Sequence, residues 1–414
     1  MKHTGQALIC TVSFLVLALA ASMLISCGDS SSSSSSNYVG TQSPGDYWTW
    51  TETADGSFTA VNNAKSYTYS GSEAALSGNS SGFTKLSITS STDPSIQSSL
   101  PVSGYAIKVP NTMIIAAVPP FATVNQSGTT VVSEHGPMVA AAQGSCPANG
   151  TTTNVNWIMM PRKDWCPADG DSNIPDISSP TAAVKTCTPA DPAYGTAAIV
   201  ADASGNYTVN VTAYKLLGGA ATAPTFSQCS CSSGVIQCTD TSHNPVKIAF
   251  TPSGIFIMDT ATYGVAGVVQ SNITAVNFSD FYANGNTFKG ISFWSFDDPG
   301  GAWPGVPETA PASLSTNGTN LTYRQYVSAA DIDAGNAPNG PTTSVPLNGT
   351  ASTVAPGLIT TTFTNCDGNT YPMALALTKM NGKYVAFALG YSPGGAGANC
   401  PTYTHGFNVL LVQQ

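Results

Sequence analysis

Few residues in this chain stand at spacings that could do chemistry. Gly390-Tyr391-Ser392-Pro393-Gly394 matches the G-x-S-x-G pattern of a serine-hydrolase nucleophile turn and follows a strand-like run. Three features argue against that use. The residue after the nucleophile must lend its backbone N–H to the oxyanion, and Pro393 has none. The glycine-rich stretch that follows cannot make the helix such a turn needs. No acidic residue lies between Ser392 and the C-terminus, although His405 does. The second match, Gly78-Asn79-Ser80-Ser81-Gly82, lies in a polar loop. Asp169, Asp171, Asn173 and Asp176 place oxygen ligands at nearly alternating positions, as a hard cation requires. Calcium is the one cofactor this pattern could take, and no other is expected. The loop departs from an EF-hand, because Ile174 stands where glycine should be and no glutamate closes it. Asp331-Ile332-Asp333 and Asp297-Asp298 are weaker versions of the same pattern.

His135, His243 and His405 are far apart and at no metal-ligand spacing. No motif singles out a carboxylate pair for glycoside hydrolysis. Trp48 and Trp50 share a strand face by the period of two. Trp294 and Trp303 flank Asp297-Asp298. Such aromatics can stack on sugars when exposed, but burial in a core is their commoner fate.

The first forty residues speak of destination. Lys2 and His3 precede an apolar run of about 15–17 residues, shorter than the ~20 a spanning helix needs. Leu24-Ile25-Ser26-Cys27 closes it, and a serine run, Ser30 to Ser36, comes next. These four residues resemble the lipobox of bacterial lipoproteins. The resemblance implies lipidation of Cys27, which becomes the mature N-terminus. Gly28 after that cysteine implies sorting to an outer membrane. The serine run has nothing to bury and reads as a flexible tether. The expected location is the cell envelope, with the membrane as partner through the N-terminal lipid.

Export agrees with the cysteines. Cys146, Cys166, Cys187, Cys229, Cys231, Cys238, Cys366 and Cys400 make an even set in a compartment where disulfides persist. Cys366 and Cys400 lie apart and are expected to pair. The stretch from Cys229 to Cys238 reads as a hairpin turning at Ser232–Gly234, with Cys229 or Cys231 bridged to Cys238. The other is assigned to Cys187, which leaves Cys146 for Cys166. No Cys-x-x-Cys pair supports a zinc, thioredoxin-like or haem site.

Charged residues are 8 % of the chain, against about 25 % in ordinary globular proteins. The net charge is −9 and only two arginines occur, so nucleic acid is excluded as a partner. Short alternating runs rich in Thr, Val, Tyr, Ile and Phe, bounded by Gly, Asn, Asp and Pro, predict an all-β fold. The architecture expected is an antiparallel sandwich or barrel-like meanders, disulfide-stapled, with short helical turns near Thr181–Lys185 and Val327–Ile332. Gly56-Ser57-Phe58-Thr59 and Ser103-Gly104-Tyr105 find an echo in Gly205-Asn206-Tyr207-Thr208 and Ser253-Gly254-Ile255. That echo suggests two related halves. The expected division is 1–26 signal peptide, 27–44 tether, 45–200 first β domain and 201–414 second. Cys146–Pro192 is the expected inter-domain or long surface excursion.

The leading functional expectation is a lipid-anchored surface module with no evident catalytic site, acting by binding or structure toward a protein or glycan ligand. A second is a barrel carrying a small molecule in a cavity lined by Ile114, Ile115, Val118, Phe256 and Phe293. A third is a secreted hydrolase using Asp carboxylates.

Overall fold

Period-two burial dominates the chain. Asp46, Trp48 and Trp50 are buried between the more exposed Tyr47, Thr49 and Thr51. Ala193–Ala201 alternates without a break over nine residues. In a computed structural model these runs are antiparallel strands. It describes residues 35–117, 136–160, 165–166, 188–189, 192–296, 309–346, 351–364, 369–391 and 404–414, except 44, 95, 252, 253, 261, 274, 275, 327 and 341.

The strands form three successive units. The first is an eight-stranded closed barrel of β1 (Ser36–Gln42), β2 (Asp46–Glu52), β3 (Ser57–Asn62), β4 (Tyr67–Ala75), β5 (Thr84–Ser91), β6 (Val102–Val109), β7 (Met113–Ala117) and β8 (Met138–Ala142). The second opens with β9 (Thr152–Met159). After the small parallel pair β10 (Trp165–Cys166) and β11 (Thr188–Pro189), it runs β12 (Ala193–Ala201), β13 (Tyr207–Lys215), β14 (Ser227–Ser232), β15 (Val235–Thr239), β16 (Pro245–Phe250), β17 (Ile255–Asp259) and β18 (Gly264–Val269). It too is a closed barrel. The third is a nine-stranded sheet of β19 (Thr287–Phe296), β20 (Thr309–Thr316), β21 (Asn320–Gln325), β22 (Thr342–Pro346), β23 (Ser352–Ala355), β24 (Leu358–Thr364), β25 (Thr370–Met380), β26 (Lys383–Gly390) and β27 (Thr404–Gln413), with β22 and β23 at its edges. In each unit the first strand pairs with the last: β1 with β8, β9 with β18, β19 with β27.

Each unit has its own filled interior. Trp48, Trp50, Phe58 and Tyr69 occupy the first, Trp157, Ile199, Ile248 and Phe256 the second, Phe288, Leu375 and Leu411 the third. A further core lies between the units and draws Val39, Ile107 and Ile115 from the first, Ile158, Ile257 and Val268 from the second, and Ile291, Phe387 and Leu410 from the third. Strands facing this shared core lose their alternation. In β7, Ile114 and Ala116 point into the barrel while Met113, Ile115 and Ala117 point to the shared core. All five are therefore buried. The same reason leaves β17 and β18 buried along their whole length.

The expected division is corrected in three places. β1 starts at Ser36, inside the expected 27–44 tether, because Tyr38 and Val39 have cores to enter. The 200/201 boundary cuts through β12, a central strand of the second barrel. The expected excursion at Cys146–Pro192 contains β9, the seam of that barrel. The echo of halves is half structural. Gly56 and Gly205 both turn the chain between the second and third strands of their barrels, with φ of 80° and 84°, where glycine is free of Cβ strain. Gly104, by contrast, lies within β6, while Gly254 lies in the turn after β16. The expected helical turn near Val327–Ile332 is present at Ala329–Asp333, and Thr181–Lys185 lies outside the described residues. Among the described residues no helix is long and apolar enough to cross a membrane.

Candidate functional site

The inward face of β2 carries Trp48, Trp50 and then Glu52, so the strand delivers a carboxylate to one end of the first barrel. β4 delivers Glu73 there and β6 delivers Lys108. The Lys108 ammonium lies 2.6 Å from a carboxylate oxygen of each glutamate. All three side chains are more than four-fifths buried. Two of the four glutamates in the chain therefore share one lysine. Trp50 Nε1 donates to Glu52 Oε1 at 3.1 Å, and its ring stacks on Phe58 at 4.8 Å between centroids.

One ammonium cannot balance two carboxylates. Burial pushes the Glu73 carboxyl up to about 7, against the pull of Lys108 and with a further push from Glu52, which lies within its hydrogen-bond reach. Glu73 Oε1 is buried and has no donor. A proton on it would let Glu73 donate to Glu52 and remove that deficit. Burial and the two glutamates push the Tyr38 phenol up to about 12. The arrangement is a carboxyl–carboxylate pair with an internal counter-ion. Both groups lie within one lysine's reach, closer than the water-wide gap of an inverting glycosidase.

A second polar group joins the first two barrels. Thr41 Oγ1 donates to Asp259 Oδ2 at 2.6 Å, in a site where Asp259 is 5 % exposed. Burial pushes the Asp259 carboxyl up to about 8, and the nearby Asp46 adds to it. Asp46 itself accepts from Asn62 at 2.7 Å and pairs with Lys65 at 2.9 Å. Tyr69 donates to the buried Asp93 at 2.6 Å. Among the described residues no three His, Cys, Asp or Glu side chains gather as a metal site would need.

The residues singled out from sequence are scattered. Cys229 bridges Cys238 across the β14–β15 hairpin, which turns after Ser232 as expected. Cys231 bridges Cys146, not Cys187, and Cys146 is thereby taken from Cys166. The reason is spatial. The linker 143–150 lies along that hairpin, with Gln143 donating to the Ser233 carbonyl and Tyr207 to the Pro147 carbonyl. Cys27, His135, Asp169, Asp171, Asn173, Asp176, Cys187, Asp297, Asp298, Trp303, Cys366, Ser392 and Cys400 lie outside the described residues, as do the side chains of Cys166, Trp294 and His405. Ser80 donates to the Ile332 carbonyl, a contact between the first and third units. Ser328 caps the Ala329–Asp333 helix, its hydroxyl accepting from the Asp331 N–H, and Asp333 accepts from Lys85 and Tyr105. His243 sits in the turn after β15 with φ 61°. Trp48 and Trp50 are core, not an exposed sugar platform. The expected carrier lining is divided: Ile114 faces the first barrel, Phe256 the second and Ile115 the shared core, while Val118 lies outside the described residues.

Glu52, Glu73, Lys108 and Asp259 were invisible as a site in the sequence. The usable signal was an acid or base continuing an inward apolar alternation, as in Trp48-x-Trp50-x-Glu52. No family model matches this chain, and no curated protein matches it.

Proposed function

We propose that this chain is an exported, lipid-anchored, β-rich module that acts at the cell envelope by binding or by structure. The observation that carries this reading is the filling of the barrels. With interiors packed by side chains such as Trp48 and Ile248, contact with a partner falls to the outer strand faces and turns. Those faces are rich in Ser, Thr and Asn, suited to a protein or glycan ligand. The Leu24–Cys27 lipobox and the serine run supply the anchor and tether, and the cysteine bridges suit an oxidising compartment.

Expression in a two-membrane bacterium with a clickable palmitate analogue tests the anchor. The wild-type chain takes the label and sediments with membranes. Cys27→Ser takes none and is exported in soluble form. An unlabelled wild-type chain overturns the reading. Native against denaturing mass spectrometry of the Cys27→Ser protein tests the mode of action. Equal masses favour surface binding. A mass excess lost on denaturation identifies a carried molecule or a cation such as calcium.

A further inference from the structure

We propose that Glu52, Glu73 and Lys108 form a proton-operated latch across one end of the first barrel, shut while the carboxyl pair keeps one proton and released when that proton leaves. The latch joins three non-adjacent strands, β2, β4 and β6, and so spans the barrel end instead of lying along one ladder. With one proton on the pair, Glu52, Lys108 and neutral Glu73 balance in charge, and the orphaned Glu73 oxygen becomes a donor to Glu52. Without it, a net negative charge remains above the stacked Trp50 and Phe58.

Among the described residues the surroundings offer no second cation. From β1 the facing titratable group is Tyr38, whose phenol stays neutral. β3, β7 and β8 carry no charged side chain. Lys85 on β5 is engaged with Asp333 of the third unit. The second barrel shows that such an end needs no charge. Its second strand ends on Ala201, and Phe250 ends the strand corresponding to β6.

Only four glutamates occur, so selective carboxyl ¹³C labelling of glutamate in the full chain gives four resonances to follow with pH. One of them titrates near neutrality and disappears in Glu73→Gln, whose amide imitates the protonated acid. In parallel, amide exchange in residues 36–52, corrected for its intrinsic pH dependence, rises about tenfold per pH unit from the ordinary carboxylate range up to that midpoint in wild type and levels off above it. In Glu73→Gln it stays flat. Lys108→Met, a second variant for the case where Glu73→Gln fails to fold, moves the midpoint upward. Asp259→Asn leaves the glutamate resonances where they were. The latch is overturned if all four glutamates titrate in the ordinary carboxylate range. It is equally overturned if Glu73→Gln exchanges with the wild-type pH profile, or if Lys108→Met leaves the midpoint unmoved or lowers it.

Discussion

The first and second barrels share strand number, an antiparallel meander, a first-to-last seam and a glycine turn after the second strand. They differ in how one end is closed. In the first, Glu52, Glu73 and Lys108 meet over an aromatic interior. In the second, the corresponding end is apolar, and the linker 143–150 is strapped along the adjoining hairpin by Cys146–Cys231. A filled barrel needs no ligand to be stable, but its ends are where ladders stop and water arrives. One barrel meets this with ionic groups that respond to pH, the other with chain and a covalent bond that do not.

The largest test of this contrast is the strap. Cys146 and Cys231 are 85 residues apart, so replacing both with Ser should cost about 4.5 kcal/mol by loop-closure entropy. Denaturant melts read the loss, and exchange in residues 36–52 should not change. Next comes Lys108→Met, which strands a buried charge and should cost about 3 kcal/mol at pH 8. A smaller loss is expected at pH 5, and equal losses at both pH values would remove the ionic half of the contrast. The Cys229–Cys238 pair closes only 9 residues, so its removal should cost about 2–3 kcal/mol and leave the strap in place, as peptide mapping can verify. The smallest effect is on pH itself. Glu73 and Asp259 are held above their unfolded values, so each binds its proton more tightly in the folded chain. Their stabilisation is complete below the unfolded carboxylate range and is lost as pH rises through about 7 and about 8. Tm should therefore fall by a few degrees between pH 6 and pH 9. Asp259→Asn should flatten the upper part of that fall and Glu73→Gln the lower part.

Local order was legible and long-range partnership was not. The alternation around Trp48 and Trp50 placed both on one face, and that face is the barrel interior. The cysteine hairpin was legible because Ser232–Gly234 is a turn of local origin. The partner of Cys146 is selected by where a linker lies, which no spacing encodes. The third unit is hidden in the sequence for a related reason. The apolar runs of β7, β17 and β26 look alike as isolated strands, and only their common burial in the shared core relates them. Glu52, Glu73 and Lys108 meet across a barrel end from three different strands, so each reads as an ordinary charged residue near a turn.

The seam at β1 has a mechanical consequence. β1 is held on both sides, by seven register pairs with β2 and five with β8. A load entering at Ser36 and directed out of the barrel end pulls along the strand and must shear both ladders together, because neither can open one pair at a time. Force spectroscopy should find the N-terminal attachment much harder to extract than a peeling hairpin.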